Sequence, residues 1–326
     1  LQPRQKRIIL QPLAFNLHKS GLREEKRDKV IKLLENELPK IGIQKEKVSA
    51  LLEDIRDRCG ILVEAKLGFF GFSHLTFQEF LTARYILDNN LEEFLVNKKR
   101  DKYWLEVALL YCGMRDTTNL LQNILEQKED IFYTNLFFAG KCLAESLSVS
   151  AELRAYITKQ IFDILWDRDE FTLTKQTDLE VLKEIKDKKI IAKLIDKTKD
   201  KDSYVRGSAA DALGQIQTKE SVAPLIELLK DKYSYVRRHA AYALGQIKAQ
   251  ESVAPLMELL KDKDSYVRGS AADALGQIGY KNSIDGLKLL LDDKESSNIT
   301  GEAVRETAFK ALKMISEKNG IPIYPD

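Results

Sequence analysis

Residues 199–216 read KDKDSYVRGSAADALGQI, and the same letters recur unchanged as residues 261–278. A third copy occupies residues 230–247, so that successive copies are 31 residues apart. A fixed step of this size is typical of stacked helical units, because a single unit cannot bury its apolar face without neighbours. The last part of the chain is therefore predicted to be an α-solenoid, an architecture that usually serves binding.

Each unit is predicted to contain two helices. The first carries a proline in its opening turn, Pro224 or Pro255, where a missing N–H is harmless. The second begins after capping residues, and its predicted core face consists of Val205, Ala209, Ala212, Leu213 and Ile216. A fourth unit carries six extra residues near 294–300, and such irregularity is typical of a terminal cap.

The pattern Val-Arg-x-x-Ala-Ala-x-Ala-Leu-Gly-x-Ile, preceded by Leu-Leu-x-Asp, resembles the short HEAT repeats that also occur in phycobilin lyases. The resemblance covers residues 170–318. It implies a structural ladder in which one arginine of each unit pairs with acidic residues of neighbouring units. The arginines are Arg206, Arg237 and Arg268, and the acidic residues are Asp200, Asp231 and Asp262. Such a ladder supports a scaffold and performs no catalysis.

The first part of the chain has a different pattern. Residues 4–19, 22–38 and 44–58 are predicted helices, because apolar residues recur there at helical spacing among charges. Residues 61–65 and 69–73 are short β-rich runs that predict a hairpin. Three helices followed by a hairpin indicate a winged helix. Its aromatic residues Phe69, Phe70, Phe72, Phe77 and Phe80 are predicted to form the core.

From residue 75 onward every substantial segment is predicted to be helical, in irregular hairpins that lead into the regular repeats. We therefore expect three domains: a winged helix at 1–74, a helical linker domain at 75–168 and a HEAT solenoid at 169–326. The predicted fold class is mainly α, with one small β-hairpin.

A second resemblance involves residues 59–62, CGIL, and residues 72–85, FSHLTFQEFLTARY. They resemble the end of the winged helix and the start of the next helical domain in NACHT-type STAND NTPases. Residues 8–18 are similar to the first helix of that winged helix, and residues 104–113 to the helical segment that follows.

In the NACHT family, the winged-helix histidine contacts the β-phosphate of bound ADP and helps to hold the off state. The matching residue is His74. A histidine at the end of a hairpin can donate to a phosphate and sense its charge. A purely structural interpretation is also open, in which His74 only ties the hairpin to the next helix.

The sequence departs from the family in one large respect, since no Gly-x-x-x-x-Gly-Lys-Ser/Thr motif occurs. Gly140-Lys141 is followed by Cys142 and has Asn135 where the first glycine should stand. The chain is therefore not an enzyme by itself, and ATP or ADP with magnesium is expected only in a full-length parent. It is interpreted as the regulatory C-terminal region of such a protein or as a descendant without the motor. The absence of an initial methionine before Leu1 favours a fragment.

Composition argues against several other functions. The chain has 52 basic and 50 acidic residues, a balance that provides no field for nucleic acid or an acidic membrane. Cys59, Cys112 and Cys142 are expected to be buried small hydrophobes, and no cysteine or histidine pair has zinc-ligand spacing. No apolar stretch reaches the length of a membrane span and no signal peptide opens the chain, so a cytoplasmic location is expected.

The middle copy predicts where a partner binds. It differs from its neighbours on the second helix at Arg238, His239 and Tyr242, whereas the third copy returns to the letters of the first. These positions belong to a stripe at helical spacing, flanked by tyrosines of neighbouring units, and Tyr and Arg concentrate binding energy. The predicted surface on the inner helices comprises Tyr204, Tyr235, Arg238, His239, Tyr242, Gln246 and Tyr266. The alternative is sequence drift on a solvated face.

The sequence thus favours a regulatory and sensing region of a NACHT signalling NTPase. A protein or other macromolecular trigger binds the solenoid, and the winged helix latches the nucleotide-bound off state against the missing N-terminal NTPase domain. In a bacterial setting the resemblance points to antiphage defence. A stand-alone HEAT scaffold and a phycobilin-lyase-like protein are the alternatives. A duplex partner is not expected, because the helix at 44–58 carries acidic residues among its basic ones.

Overall fold

The computed structural model describes residues 3–42, 44–130, 132–166, 181–185, 187–297 and 301–321. The chain forms two compact units, Leu1–Ile157 and Thr158–Asp326. The predicted domain boundary at 168/169 lies outside the described residues. None of the helices in the described ranges combines the length and apolarity of a membrane span.

The first unit begins with a winged helix. Its helices are α1 (Pro3–Lys19), α2 (Arg27–Glu37) and α3 (Val48–Cys59), and its strands are β1 (Glu24–Lys26), β2 (Leu62–Lys66) and β3 (Phe69–Phe72). The three helices close over a common core in which Ile9, Leu34 and Ile55 are fully buried. α3 ends at Gly60, whose φ of 62° is a left-handed conformation that glycine adopts without strain.

The sheet has three strands in the order β1-β3-β2, all antiparallel, where the sequence predicted only a hairpin. The missed strand, Glu24–Lys26, lies in the segment predicted as the start of a helix. Its three charged residues carry no β pattern, and it is a strand because its backbone pairs with β3, Glu25 lying opposite Phe70. Gly71 allows this approach, since a Cβ there would lie 2.3 Å from the carbonyl oxygen of Arg23.

The remaining described helices of the first unit are α4 (Leu75–Asp88), α5 (Glu92–Lys98), α6 (Leu105–Cys112), α7 (Thr118–Leu125) and α8 (Thr134–Glu145). The next helix, α9 (Ala151–Trp166), begins in the first unit and ends in the second. α4 packs against α1 and α6, and α6 packs against α8.

The prediction that the aromatic residues form the winged-helix core was partly wrong. Phe70 is buried, but Phe77 and Phe80 on α4 are 39% and 42% exposed. The buried face of their helix lies roughly opposite and includes Thr82 and Ile86.

The cysteines also differ from one another. Cys112 and Cys142 are buried, as expected of small hydrophobes, whereas Cys59 is only partly buried. The thiol of Cys59 accepts a hydrogen bond of 3.0 Å from Nζ of Lys6. Cys59 is the last residue of α3, and this position near the helix end explains its exposure.

The second unit contains the repeats. After residues 181–185, which are helical, the helices are α10 (Lys188–Lys197), α11 (Ser203–Ile216), α12 (Val222–Leu228), α13 (Ser234–Ile247), α14 (Val253–Leu259), α15 (Ser265–Ile278), α16 (Ile284–Lys288) and α17 (Val304–Asn319). The long helices α11, α13, α15 and α17 stack on one another in chain order, and each short helix packs against the long helix that follows it. This is an α-solenoid, as predicted.

Small residues set the spacing of the stacked helices. A Cβ added to Gly214, Gly245 or Gly276 would lie 2.7 to 2.8 Å from the Cα of an alanine on the next long helix. The alanine faces are buried, including Ala209 and Ala212 of the predicted core. Val205 is only partly buried, because it lies in the first of the regular units, whereas the equivalent Val236 and Val267 are fully buried.

Candidate functional site

Three arginines, of which Arg206 and Arg237 are buried and Arg268 is partly buried, hold consecutive repeats together and form the frame of the candidate site. Nε and Nη2 of Arg206 donate to the two carboxylate oxygens of Asp231 at 2.7 and 2.9 Å. Arg237 makes the same pair of bonds to Asp262, both at 2.7 Å. Arg268 donates to Asp293 at 2.7 Å and to Glu295 at 3.0 Å. Each arginine therefore ties its own repeat to the next one.

The remaining nitrogen of each guanidinium binds the loop before its own helix. Nη1 of Arg206 donates to the backbone oxygens of Asp200 and Lys201 at 2.9 and 3.0 Å. The carboxylate of Asp200 does not pair with an arginine within the described residues. It lies 3.7 Å from Nζ of Lys197 and accepts a 3.0 Å hydrogen bond from the N–H of Asp202. Asp200 thus contributes its carbonyl to the ladder rather than its charge.

Burial alone would raise the pKa of the ladder carboxylates, yet their pKa is lowered. Hydrogen bonds from Arg206 and from the N–H of Tyr233 outweigh burial at Asp231, and Arg237 does the same at Asp262. The pKa of Asp293 is lowered in the same way by Arg268. These charges are not available to a ligand, because each carboxylate is already paired with an arginine.

The middle repeat builds an aromatic surface on this frame. The rings of Tyr204 and Tyr235 stack with centroids 5.8 Å apart and 14° between their planes. Tyr235 also contacts His239, with centroids 4.3 Å apart. The Tyr235 ring occupies space left by Gly207, where a Cβ would lie 2.3 Å from the ring carbon Cε1. Burial and the nearby charge of Asp211 raise the pKa of Tyr235, so its hydroxyl stays protonated.

Arg238 lies between two of the repeat tyrosines. Its Cζ atom is 5.7 Å from the centroid of Tyr235 and 5.9 Å from that of Tyr266, within the range of cation–π attraction. Its Nη2 lies 3.1 Å from Nε2 of His239, and Nδ1 of His239 lies 2.6 Å from Oδ2 of Asp211. No carboxylate among the described residues is within ion-pair distance of Arg238.

A groove opens at this arginine. It has a volume of about 260 Å³ and is lined by Ser234, Tyr235, Arg238, Asp264 and Tyr266. Asp264 is committed to the backbone, since it accepts from the N–H groups of Tyr266 at 3.0 Å and Val267 at 3.3 Å. The groove thus offers two aromatic rings and one cation for which the described part of the chain provides no anionic partner.

Two residues of the predicted stripe lie away from this groove. Tyr242 is 44% exposed and lies one turn beyond His239 on α13. Gln246 lies a further turn away, and its side chain packs at Gly214 of the preceding repeat. Sequence reasoning missed Asp211, Ser234 and Asp264. The sequence did contain a signal for Asp211. Gly207 and Asp211, four positions apart in the first copy, are both replaced in the middle copy, by Arg238 and Tyr242.

His74, the predicted latch residue, lies in the other unit. It occupies the N-cap position of α4 in extended conformation, and its ring centroid is 5.9 Å from that of Phe77. The side chain is exposed and caps no backbone N–H of the helix. Within the described part of the chain its imidazole makes no hydrogen bond, so both ring nitrogens are available. The backbone of residues 73 and 74 makes the connection between hairpin and helix.

The third helix of the winged helix presents few free cations. Arg56 pairs with Asp57 at 2.6 Å and with Glu64 at 3.4 Å, and Arg58 pairs with Asp54 at 2.9 Å. Their charge is balanced locally. A helix that enters a DNA groove needs unpaired basic side chains for the phosphates.

The fold is that of a helical-repeat protein whose chain also contains a winged helix. Comparison with known families confirms both parts. Residues 2–86 match the family model of winged helix-turn-helix domains C-terminal to NACHT, and residues 158–241 and 222–306 match the model of HEAT repeats. The first match includes His74 and most of α4. These matches associate the chain with regions C-terminal to NACHT, and neither is a match to a catalytic domain.

The matches among solved structures include an engineered protein with 18% identity, covering 89% of this chain and 81% of its own, with a TM-score of 0.35. YibA of Escherichia coli has 19% identity, coverages of 74% and 88%, and a TM-score of 0.37. The CpcE–CpcF complex of phycocyanin lyase from Nostoc has 18% identity, coverages of 62% and 88%, and a TM-score of 0.30. A search of curated protein sequences found no match.

Proposed function

We propose that this chain is the regulatory and ligand-sensing region of a NACHT signalling NTPase. The solenoid binds a protein or other macromolecular trigger, and the winged helix holds the nucleotide-bound off state. The observation that carries the proposal is the winged helix of the type C-terminal to NACHT, with an exposed histidine at the end of its hairpin, joined in one chain to HEAT repeats.

The environment of His74 supports a contact outside this chain. A structural histidine would use its imidazole to tie the hairpin to the helix, but here the backbone makes that connection. The exposed aromatic rings of Phe77 and Phe80 lie on the same helix. A surface with an imidazole donor beside apolar rings suits a second domain that brings a phosphate to the imidazole.

Within this proposal the nucleotide and its magnesium are held by the NTPase domain, which would supply the chemistry. The contribution of this chain is a single donor to phosphate, His74. Binding of a trigger to the solenoid favours the conformation in which this contact is broken, and the population of the signalling form rises. The size of the shift is set by the difference in trigger affinity between the two conformations.

Two experiments test the proposal. Sequencing the gene upstream of the Leu1 codon should reveal an open frame with a P-loop. In that longer protein, His74→Ala should increase ADP release and basal signalling, whereas Thr76→Ala, an exposed change two residues away, should leave both unchanged. Equal behaviour of the two variants would contradict the latch and favour a stand-alone HEAT scaffold.

The cellular role is part of the same proposal. We place the protein in the cytoplasm, since its cysteines are free thiols. In a bacterial host we expect it to act in antiphage defence. Deleting the gene should then increase plaque formation by at least one phage of a diverse panel, and His74→Ala should slow growth in the absence of phage.

A further inference from the structure

We propose that the groove at Arg238 binds a carboxylate side chain of the partner protein, held within an apolar segment of that partner. This inference deepens the proposed sensing function and rests on it, since it names the chemistry that the solenoid recognises. It concerns the groove lined by Ser234, Tyr235, Arg238, Asp264 and Tyr266.

The four arginines of the repeats differ in their partners. Arg206, Arg237 and Arg268 each donate to a carboxylate of the next repeat. Arg238 has no such partner within the described ranges, although it is partly buried. A guanidinium in this position has given up some hydration without gaining a counter-charge. An incoming carboxylate supplies the missing partner.

The guanidinium of Arg238 is held in one orientation by its neighbours. An arginine only donates, so Nε2 of His239 must accept the hydrogen bond from Arg238. The ring proton therefore resides on Nδ1 and is donated to Asp211 at 2.6 Å. The chain of contacts from Asp211 through His239 fixes one edge of the guanidinium. The rings of Tyr235 and Tyr266 fix its flanks, and this leaves the remaining N–H groups for a ligand.

The size and charge of the groove indicate which class of ligand it binds. The groove, at about 260 Å³, is smaller than the roughly 300–1,000 Å³ of ordinary small-molecule sites, so it suits one side chain better than a cofactor. Asp264 lines it and Asp211 lies behind His239. These two carboxylates repel a phosphate dianion or a nucleic-acid backbone more strongly than they repel a ligand with a single negative charge. A planar carboxylate further matches the fork of a guanidinium.

The groove occurs at one position along the stack of repeats. The equivalent positions of the neighbouring copies are Gly207 and Gly269, so the groove with its arginine belongs to the middle repeat. Gly207 faces the Tyr235 ring, and Gly269 faces Ser297, where a Cβ would lie 2.4 Å from Cβ of that serine. A side chain at either flanking position would require these residues to shift. The arrangement therefore marks a defined point along the stack.

The test uses the whole chain and acetyl-Leu-Glu-Leu-amide as the probe, with acetyl-Leu-Gln-Leu-amide, inorganic phosphate and a single-stranded oligonucleotide as comparisons. NMR resonances of the arginine Nε–H groups report binding at Arg238. We expect the Glu peptide to shift the Arg238 signal at about millimolar concentration and the Gln peptide to bind roughly tenfold or more weakly.

The test variant R238G/H239S/Y242D gives the middle helix the residues that its neighbours carry, so it retains a sequence already compatible with this stack. It should lose the response to the Glu peptide, whereas the exposed change Lys230→Gln should retain it. The inference is overturned if the Glu peptide leaves Arg238 unshifted, if the Gln peptide binds equally well, or if phosphate or the oligonucleotide binds more tightly. None of these outcomes depends on His74, so the latch is judged separately.

Discussion

Arg237 and Arg238 are adjacent in the chain, yet among the described residues only Arg237 has a carboxylate partner. Both oxygens of Asp262 accept from its guanidinium at 2.7 Å. Neighbouring residues on a helix point about 100° apart, so one arginine faces the next repeat and the other faces the groove. The same residue type thus supports the stack at one position and remains available to a ligand at the next.

This contrast predicts different effects on stability. Arg237→Ala removes the ion-pair partner of Asp262, whose side chain is only 9% exposed, and should lower the free energy of unfolding by about 3 kcal/mol. Arg238→Ala removes no ion pair and should cost less than about 1 kcal/mol. Urea denaturation followed by circular dichroism measures both. Similar losses for the two variants would contradict the assignment of roles.

The ladder also predicts a dependence on pH. The pKa values of Asp231, Asp262 and Asp293 are lower in the folded state than in the unfolded chain. Their stabilising contribution is therefore complete above the unfolded pKa of about 3.9 and is lost as the pH falls through the lower folded values. The melting temperature should fall steeply below about pH 4. The variant Asp262→Asn should melt lower at pH 7 but show a shallower fall, and parallel curves would refute this origin.

The close approach of the stacked helices predicts a cost for one added methyl group. A Cβ at Gly245 would lie 2.8 Å from Cα of Ala274, an atom of the backbone that cannot move aside cheaply. Gly245→Ala should therefore destabilise the solenoid by about 1–3 kcal/mol, although alanine is the better helix former. Gly113→Ala is the matched control, because its nearest atom lies 3.6 Å away. That variant should be neutral or slightly stabilising in the same thermal unfolding experiment.

The start of the middle long helix predicts a stabilising change. Asp202 and Asp264 cap their helices through side-chain oxygens, whereas Tyr233 at the equivalent position caps nothing. Its backbone angles, φ −92° and ψ 126°, match those of Asp264. Tyr233→Asp should raise the stability by roughly 0.5–1 kcal/mol. An increase in melting temperature is expected, and a decrease would show that the contact of Tyr233 with Arg206 matters more than the cap.

Much of this organisation was visible in the sequence because it depends on local periodicity. The 31-residue step, the alanine faces and the proline positions define the solenoid without reference to other parts of the chain. The winged helix was predicted in outline, but β1 was missed. Three charged residues become a strand only through pairing with β3, and that pairing is not a local property.

The sequence by itself determined the repeats, the residues that set the middle repeat apart, and the histidine at the end of the hairpin. The tertiary structure decided which of them act together. It pairs Arg206 with Asp231 rather than Asp200 and packs the side chain of Gln246 against Gly214. It also leaves Arg238, between Tyr235 and Tyr266, without a carboxylate partner in the described ranges. The physical reason is that ion pairs and ring contacts form between repeats, where the offset of one helix against the next selects each partner.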